Sequence, residues 1–162
     1  MKYLTGFRIN RSGTADSYIF EWKNKNDAGA MESVEPPRPE LLQAAANVGA
    51  LSARMISLDM TAEEVQAGSC FCGLKIEYPA DGEYYRLQIK ASIQLPLGYM
   101  FKYETPNWRV WCTGTKGEFN NKVREIVQKL LQECWKYIDG ERAQTKLGFT
   151  KEEEERAEFA NQ

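Results

Sequence analysis

Phe119, Val123, Ile126, Val127, Leu130, Leu131, Cys134, Trp135 and Ile138 fall at offsets 0, 4, 7, 8, 11, 12, 15, 16 and 19. That spacing predicts a long amphipathic helix with a wide apolar stripe. Lys122, Glu125, Lys129, Glu133 and Lys136 lie off the stripe and are expected on its solvent side. Gly140 stands where such a helix would end or kink. A first helix is marked by Leu41, Leu42, Ala45, Val48, Leu51 and Met55. Pro39 suits its first turn, and Glu40 complements the helix dipole. The small side chains Ala44, Ala45, Ala46, Gly49, Ala50 and Ala53 would let it approach a sheet closely, with Gly49 weakening it by about 1 kcal/mol relative to Ala.

Elsewhere the period is two. Tyr3, Thr5, Phe7 and Ile9 alternate with Leu4, Gly6 and Arg8; turn residues Arg11 to Thr14 follow; Tyr18, Phe20 and Trp22 then alternate with Ile19, Glu21 and Lys23. This predicts an opening β-hairpin, then a loop over Asn24 to Gly29 and extended backbone through Pro36-Pro37-Arg38-Pro39. Cys70, Cys72, Leu74, Ile76 and Tyr78 are expected on one face of a second hairpin's first strand, opposite Phe71, Gly73, Lys75 and Glu77. Pro79-Ala80-Asp81-Gly82 supplies its turn. Its return strand carries Tyr85, Leu87, Ile89, Ala91, Ile93 and Leu95 on the buried face. Residues 96–113 are aromatic and broken by Pro96, Gly98 and Pro106, so short strands or a structured loop are expected. The pattern implies an α+β fold: an antiparallel β-sheet built from hairpins, with two helices packed on one face.

Composition restricts the chemistry. The 162 residues contain no histidine, which excludes Ser-His-Asp and Cys-His catalysis, histidine-ligated metal and an imidazole switch. Net charge is −2, and it is uneven: the segment from Lys151 to Gln162 carries five glutamates against Lys151 and Arg156, leaving residues 1–150 at +1. The expectation is a single α+β domain over 1–150 and an acidic, disordered tail over 151–162. A near-neutral body is poor equipment for non-specific duplex binding. No apolar run is long enough to span a membrane, and the start lacks a signal-peptide pattern, so a cytoplasmic address is expected. Cys70, Cys72, Cys112 and Cys134 are expected as reduced, buried thiols, because C-x-C does not match zinc spacing. No cofactor is implied.

Two segments carry a likeness. Tyr137-Ile138-Asp139-Gly140-Glu141-Arg142-Ala143-Gln144-Thr145-Lys146-Leu147-Gly148-Phe149 resembles the closing segment of a diffuse set of uncharacterised phage and prophage proteins. Glu35-Pro36-Pro37-Arg38-Pro39-Glu40-Leu41-Leu42, followed by an Ala-rich helix, is similar to their midsection. The resemblance covers about a third of the chain and implies a mobile-element origin in a bacterial host; it implies no activity.

Of the motifs that could carry chemistry, Gly114-Thr115-Lys116-Gly117 lacks the P-loop spacing and is expected to be a plain helix start, with Thr115 or Gly117 as N-cap. The pairs Glu63-Glu64, Asp81 with Glu83, and Asp139 with Glu141 sit among turn or exposed residues, where carboxylates are solvated. An enzyme is therefore not expected. The aromatic–basic segment is the candidate binding site: Tyr99, Lys102, Tyr103, Trp108, Arg109 and Trp111, residue types used by both protein hot spots and base-stacking platforms. In a strand, Trp108 and Trp111 point to opposite faces, with Trp108 expected in the core and Trp111 beside Arg109 on the other face. The expected function is a non-catalytic binding protein acting on a host or phage protein as accessory factor or inhibitor. The alternatives are a single-stranded nucleic-acid or nucleotide-binding module and a structural phage component. Oligomeric state is left open.

Overall fold

A computed structural model describes residues 2–11, 13–56, 59–79, 82–112 and 117–143. The chain runs β1 (Tyr3–Asn10), β2 (Ser17–Lys23), β3 (Ala28–Ser33), α1 (Pro39–Met55), α2 (Ala62–Gly68), β4 (Ser69–Glu77), β5 (Tyr84–Gln94), β6 (Met100–Glu104), β7 (Trp108–Trp111) and α3 (Glu118–Ile138). All strand pairs are antiparallel. The seven strands form one sheet in the order β3-β2-β1-β4-β5-β6, with β7 also beside β5. Helices α1 and α3 pack on one face of it, giving the α+β arrangement that the periodicity predicts. No helix among the described residues is long and apolar enough to cross a membrane. The tail over 151–162 and the segment from Gln144 to Phe149 lie outside the described residues.

Two irregularities decide which side chains reach the core. The β1–β2 register shifts between Leu4 and Gly6, so Leu4 joins Phe7 and Ile9 on the buried face, where strict alternation puts Tyr3 and Thr5. The β4–β5 register shifts between Phe71 and Gly73. Phe71 therefore joins Leu74 and Ile76 in the core, and Cys70 and Cys72 are only half-buried, against the expectation of core thiols. An extra residue in one strand turns everything beyond it to the other face. Arg11 secures the second shift by donating from Nη1 to the Phe71 carbonyl at 2.6 Å.

Two elements depart from expectation. Residues 28–33 form an edge strand, although Ala28 and Gly29 were expected in a loop; Gly29 lies so close to Trp22 that a Cβ would meet the indole at 2.3 Å. Residues 62–68 form a short helix, α2, closed by a capping box in which Thr61 and Glu64 bond each other's backbone N–H.

Helix α1 follows its small residues onto the sheet, with Leu42 turned to solvent. Helix α3 ends in a Schellman turn: Gly140 (φ 108°) donates to Tyr137 O and Glu141 to Lys136 O. Its buried line includes Asn120, Glu133 and Tyr137. Tyr137 stacks on Phe20 at 4.9 Å, Phe20 stacks on Phe7 at 4.8 Å, and the Tyr137 hydroxyl donates to Glu35 O at 2.6 Å. The last helix thereby closes over the first hairpin.

Candidate functional site

Strand β5 has two successive partners on one edge. Its residues Tyr84 to Leu87 pair with β7, and Lys90 to Gln94 pair with β6. Buried Thr105 bridges the gap: its N–H donates to Ile89 O at 2.9 Å, and its Oγ1 accepts the Ile89 N–H at 2.9 Å. Pro106 follows, and the chain leaves the ladder before β7 rejoins it. The aromatic–basic segment is thus divided along one sheet edge and between two faces.

Tyr103 and Trp108 face the helices. The Tyr103 hydroxyl is 2.7 Å from Ser52 Oγ, which itself donates to Gly49 O at 2.6 Å, so this ring ties β6 to α1. Burial raises the phenol's pKa, and the Ser52 bond pulls it back. Trp108 meets Phe119 edge-on at 5.7 Å and packs on the core. Lys102, Arg109 and Trp111 rise from the opposite face, and Tyr99 stands at the β5–β6 turn. Sequence reasoning grouped these six residues; the fold divides them into packing, face and tip.

The tip joins Tyr99 to Leu97, Met100 and Phe101, which lie outside the six-residue candidate site. Leu95 and Gly98 (φ 92°) close the turn with Gly98 donating to Leu95 O at 2.8 Å, which pushes Leu97 outward. Leu97, Tyr99, Met100 and Phe101 are 86, 72, 57 and 41% exposed. The signal was a dense apolar run across a Pro–Gly turn, where no periodicity assigns a buried face.

The opposite sheet face, which no helix among the described residues covers, was missed for a different reason, since its residues are scattered over separate strands. Cross-strand registers align Glu21, Gly6, Lys75 and Gln88 in one row, and Ile19, Arg8, Gly73, Lys90 and Glu104 in the next. At one corner Tyr84 opposes Trp111, with ring centroids 5.1 Å apart, and the Arg109 guanidinium lies 4.6 Å from the Tyr84 centroid and 5.8 Å from that of Trp111. Asn120 and Arg124 of α3 hold the Trp111 backbone in place.

Reactive groups are dispersed. Cys134 is fully buried, and desolvation raises its thiol pKa well above the usual value; Cys112 is exposed. Thr113 to Lys116, in the segment expected to be a plain helix start, lie outside the described residues, and Gly117 is the N-cap of α3, without a side-chain cap bond. Glu64 caps α2 and Glu141 pairs with Arg38 at 3.0 Å. Glu133 corrects its expected solvent position: it is 2% exposed, 3.2 Å from Lys129, 3.4 Å from Lys136 and 3.9 Å from Arg38. Burial pushes its carboxyl up, but the hydrogen bonds and charges of Lys129 and Lys136 outweigh this and hold it below the usual carboxylate range. Among the described residues, no three His, Cys, Asp or Glu side chains gather to hold a metal ion.

Compared with protein-family models, curated proteins and solved structures, the chain matches none of them.

Proposed function

We propose that this protein is a non-catalytic binding protein that docks a protein partner through the tip of the β5–β6 hairpin. The observation that carries this reading is the concentration of apolar surface there. Four of the seven large apolar side chains that stand exposed among the described residues fall within Leu97 to Phe101. Single exposed apolar side chains are ordinary, whereas a contiguous group including two aromatic rings has the composition of a protein interface. Lys102 next in the chain supplies a polar rim. The likeness of two segments to phage and prophage proteins favours a host or phage protein as the partner, with an accessory or inhibitory role.

The test compares the wild-type protein with a Leu97→Ser, Tyr99→Ser, Phe101→Ser variant, both immobilised against bacterial host lysate. A stoichiometric partner retained by the wild type and lost by the variant, at equal thermal stability, supports the reading. Equal retention by both, or retention by neither, overturns it. Self-association that the variant abolishes would instead favour the structural-component alternative.

A further inference from the structure

The sheet face opposite α1 and α3, which no helix among the described residues covers, is a second surface, and its chemistry differs from that of the hairpin tip. Two glycines face each other diagonally at its centre. A Cβ on Gly73 would stand 3.0 Å from Arg8 Cβ, so a side chain there would push Arg8 aside by a few tenths of an ångström, and Gly6 continues the bare floor. Arg8, Ile19, Glu21, Lys75, Gln88 and Lys90 border this floor. The enclosed volume is only about 70 Å³, far below the roughly 300 Å³ at which small-molecule pockets begin. The depression is shallow and lies between side chains of β1, β2, β4 and β5.

The charge on this face runs opposite to that of the whole protein. Arg8, Lys75, Arg86, Lys90, Lys102 and Arg109 rise from its centre and β5 edge. The carboxylates among them are Glu21, Glu77 and Glu104; Lys23 and Glu32 offset one another toward the β3 edge. Glu77 is occupied by Arg86 at 3.6 Å and Glu104 by Lys90 at 2.9 Å. Arg8, Lys75 and Lys102 have no carboxylate within ion-pair distance among the described residues. At the end of the same face the half-buried rings of Tyr84 and Trp111 sit under Arg109.

From this juxtaposition we infer that the uncovered face binds single-stranded nucleic acid, with phosphates on Arg8, Lys75 and Lys102 and a base on the Trp111–Tyr84–Arg109 corner. Cationic side chains tracking a backbone, joined to aromatic rings that accept any base, are the two components of sequence-tolerant single-strand binding. A duplex is disfavoured, since the rings can only reach unpaired bases. Tyr84 and Lys90 are six residues apart on β5, about 20 Å at the rise of a strand, which is room for several nucleotides.

The probe is a fluorescently labelled oligothymidylate of about 20 nucleotides, a length exceeding a single-domain site. Its affinity is measured by anisotropy from about 50 to about 200 mM salt, alongside a duplex of equal length. The wild type is expected to bind the single strand more tightly than the duplex, with affinity falling as salt rises. Arg8→Gln with Lys75→Gln removes two phosphate contacts, so the logarithmic salt slope should drop by about 1.4 and low-salt affinity by about tenfold. Lys102→Gln with Arg109→Gln is an independent pair with the same expected direction. The Leu97, Tyr99 and Phe101 serine variant should bind the oligonucleotide as the wild type does. Absence of binding at the lowest salt, equal affinity for the duplex, an unchanged slope in both glutamine pairs, or loss of binding in the tip variant would each overturn the assignment.

Discussion

Gly49 of α1 lies directly over Phe71 of β4: a Cβ at position 49 would stand 3.1 Å from the Phe71 backbone nitrogen and 3.3 Å from its Cα. The alanine-rich side of the helix thus lets it settle onto the strand's backbone just where the second register shift lifts Phe71 into the core. Alanine at this position should gain about 1 kcal/mol of helix propensity. The atoms it meets belong to backbone in the middle of a sheet, which cannot rotate away. Gly49→Ala is therefore expected to lower stability by about 1 kcal/mol net, within the overpacking range, and Gly49→Val by more. Urea denaturation of the two variants checks the order.

Glu133 makes stability depend on acid. Its folded-state pKa lies below the unfolded value of about 4.3, so the carboxylate favours the folded state at neutral pH. That contribution is complete above the unfolded pKa and is lost as pH falls through the folded one. Glu133→Gln should cost about 1–2 kcal/mol at pH 7, the scale of lost hydrogen bonds at a buried group, and the gap between variant and wild type should narrow below pH ~4. Chemical melts at several pH values measure it; a gap that is constant with pH would show that charge plays no part.

The thiols should separate by burial. Cys112 is exposed and is expected to react first with a thiol reagent, Cys70 and Cys72 more slowly, and Cys134 only on unfolding. Mass spectrometry of partly labelled native protein gives the order, and early labelling of Cys134 would contradict the packing of α3.

The two tryptophans of β7 should respond differently to truncation. Trp108→Ala removes the contact with Phe119 and part of the core, and is expected to cost about 3 kcal/mol. Trp111→Ala removes a ring from the open face and should cost about 1 kcal/mol, the value of its aromatic and cation contacts. Thermal melts of both variants decide between this and reversed faces.

The parts of the fold that periodicity made legible are those where spacing is uninterrupted: α1, α3, β2 and β5. Alternation in β1 and β4 was legible as strand, and its buried face was right for Phe7, Ile9, Leu74 and Ile76; a one-residue shift near Thr5 and another at Cys72 leave composition unchanged while reversing the faces before them. Strand β3, Ala-Gly-Ala-Met-Glu-Ser, has no apolar alternation to detect; it pairs only with β2 at the sheet's edge. Glu133 looked solvated because its third cation, Arg38, comes from the far end of the chain. For the candidate site, the residue types were visible and their grouping was not. Tyr103 and Trp108 are spent on packing, and Arg8 and Lys75 join Lys102 only through the strand order β1-β4-β5-β6.

The closure of α3 over the first hairpin bears on how the chain folds. Tyr137 stacks on Phe20 and donates to the Glu35 carbonyl, 102 positions earlier, while β1 pairs with β4 across more than sixty residues. Pairings of such separation require large loops to close before they contribute, which raises contact order and slows the search. During synthesis, β1 and β2 leave the ribosome with Phe7 and Phe20 uncovered, and the ring that seals them is made only as α3 is completed. The aromatic stack of Phe7, Phe20 and Tyr137 is therefore complete only once α3 has been added to the chain.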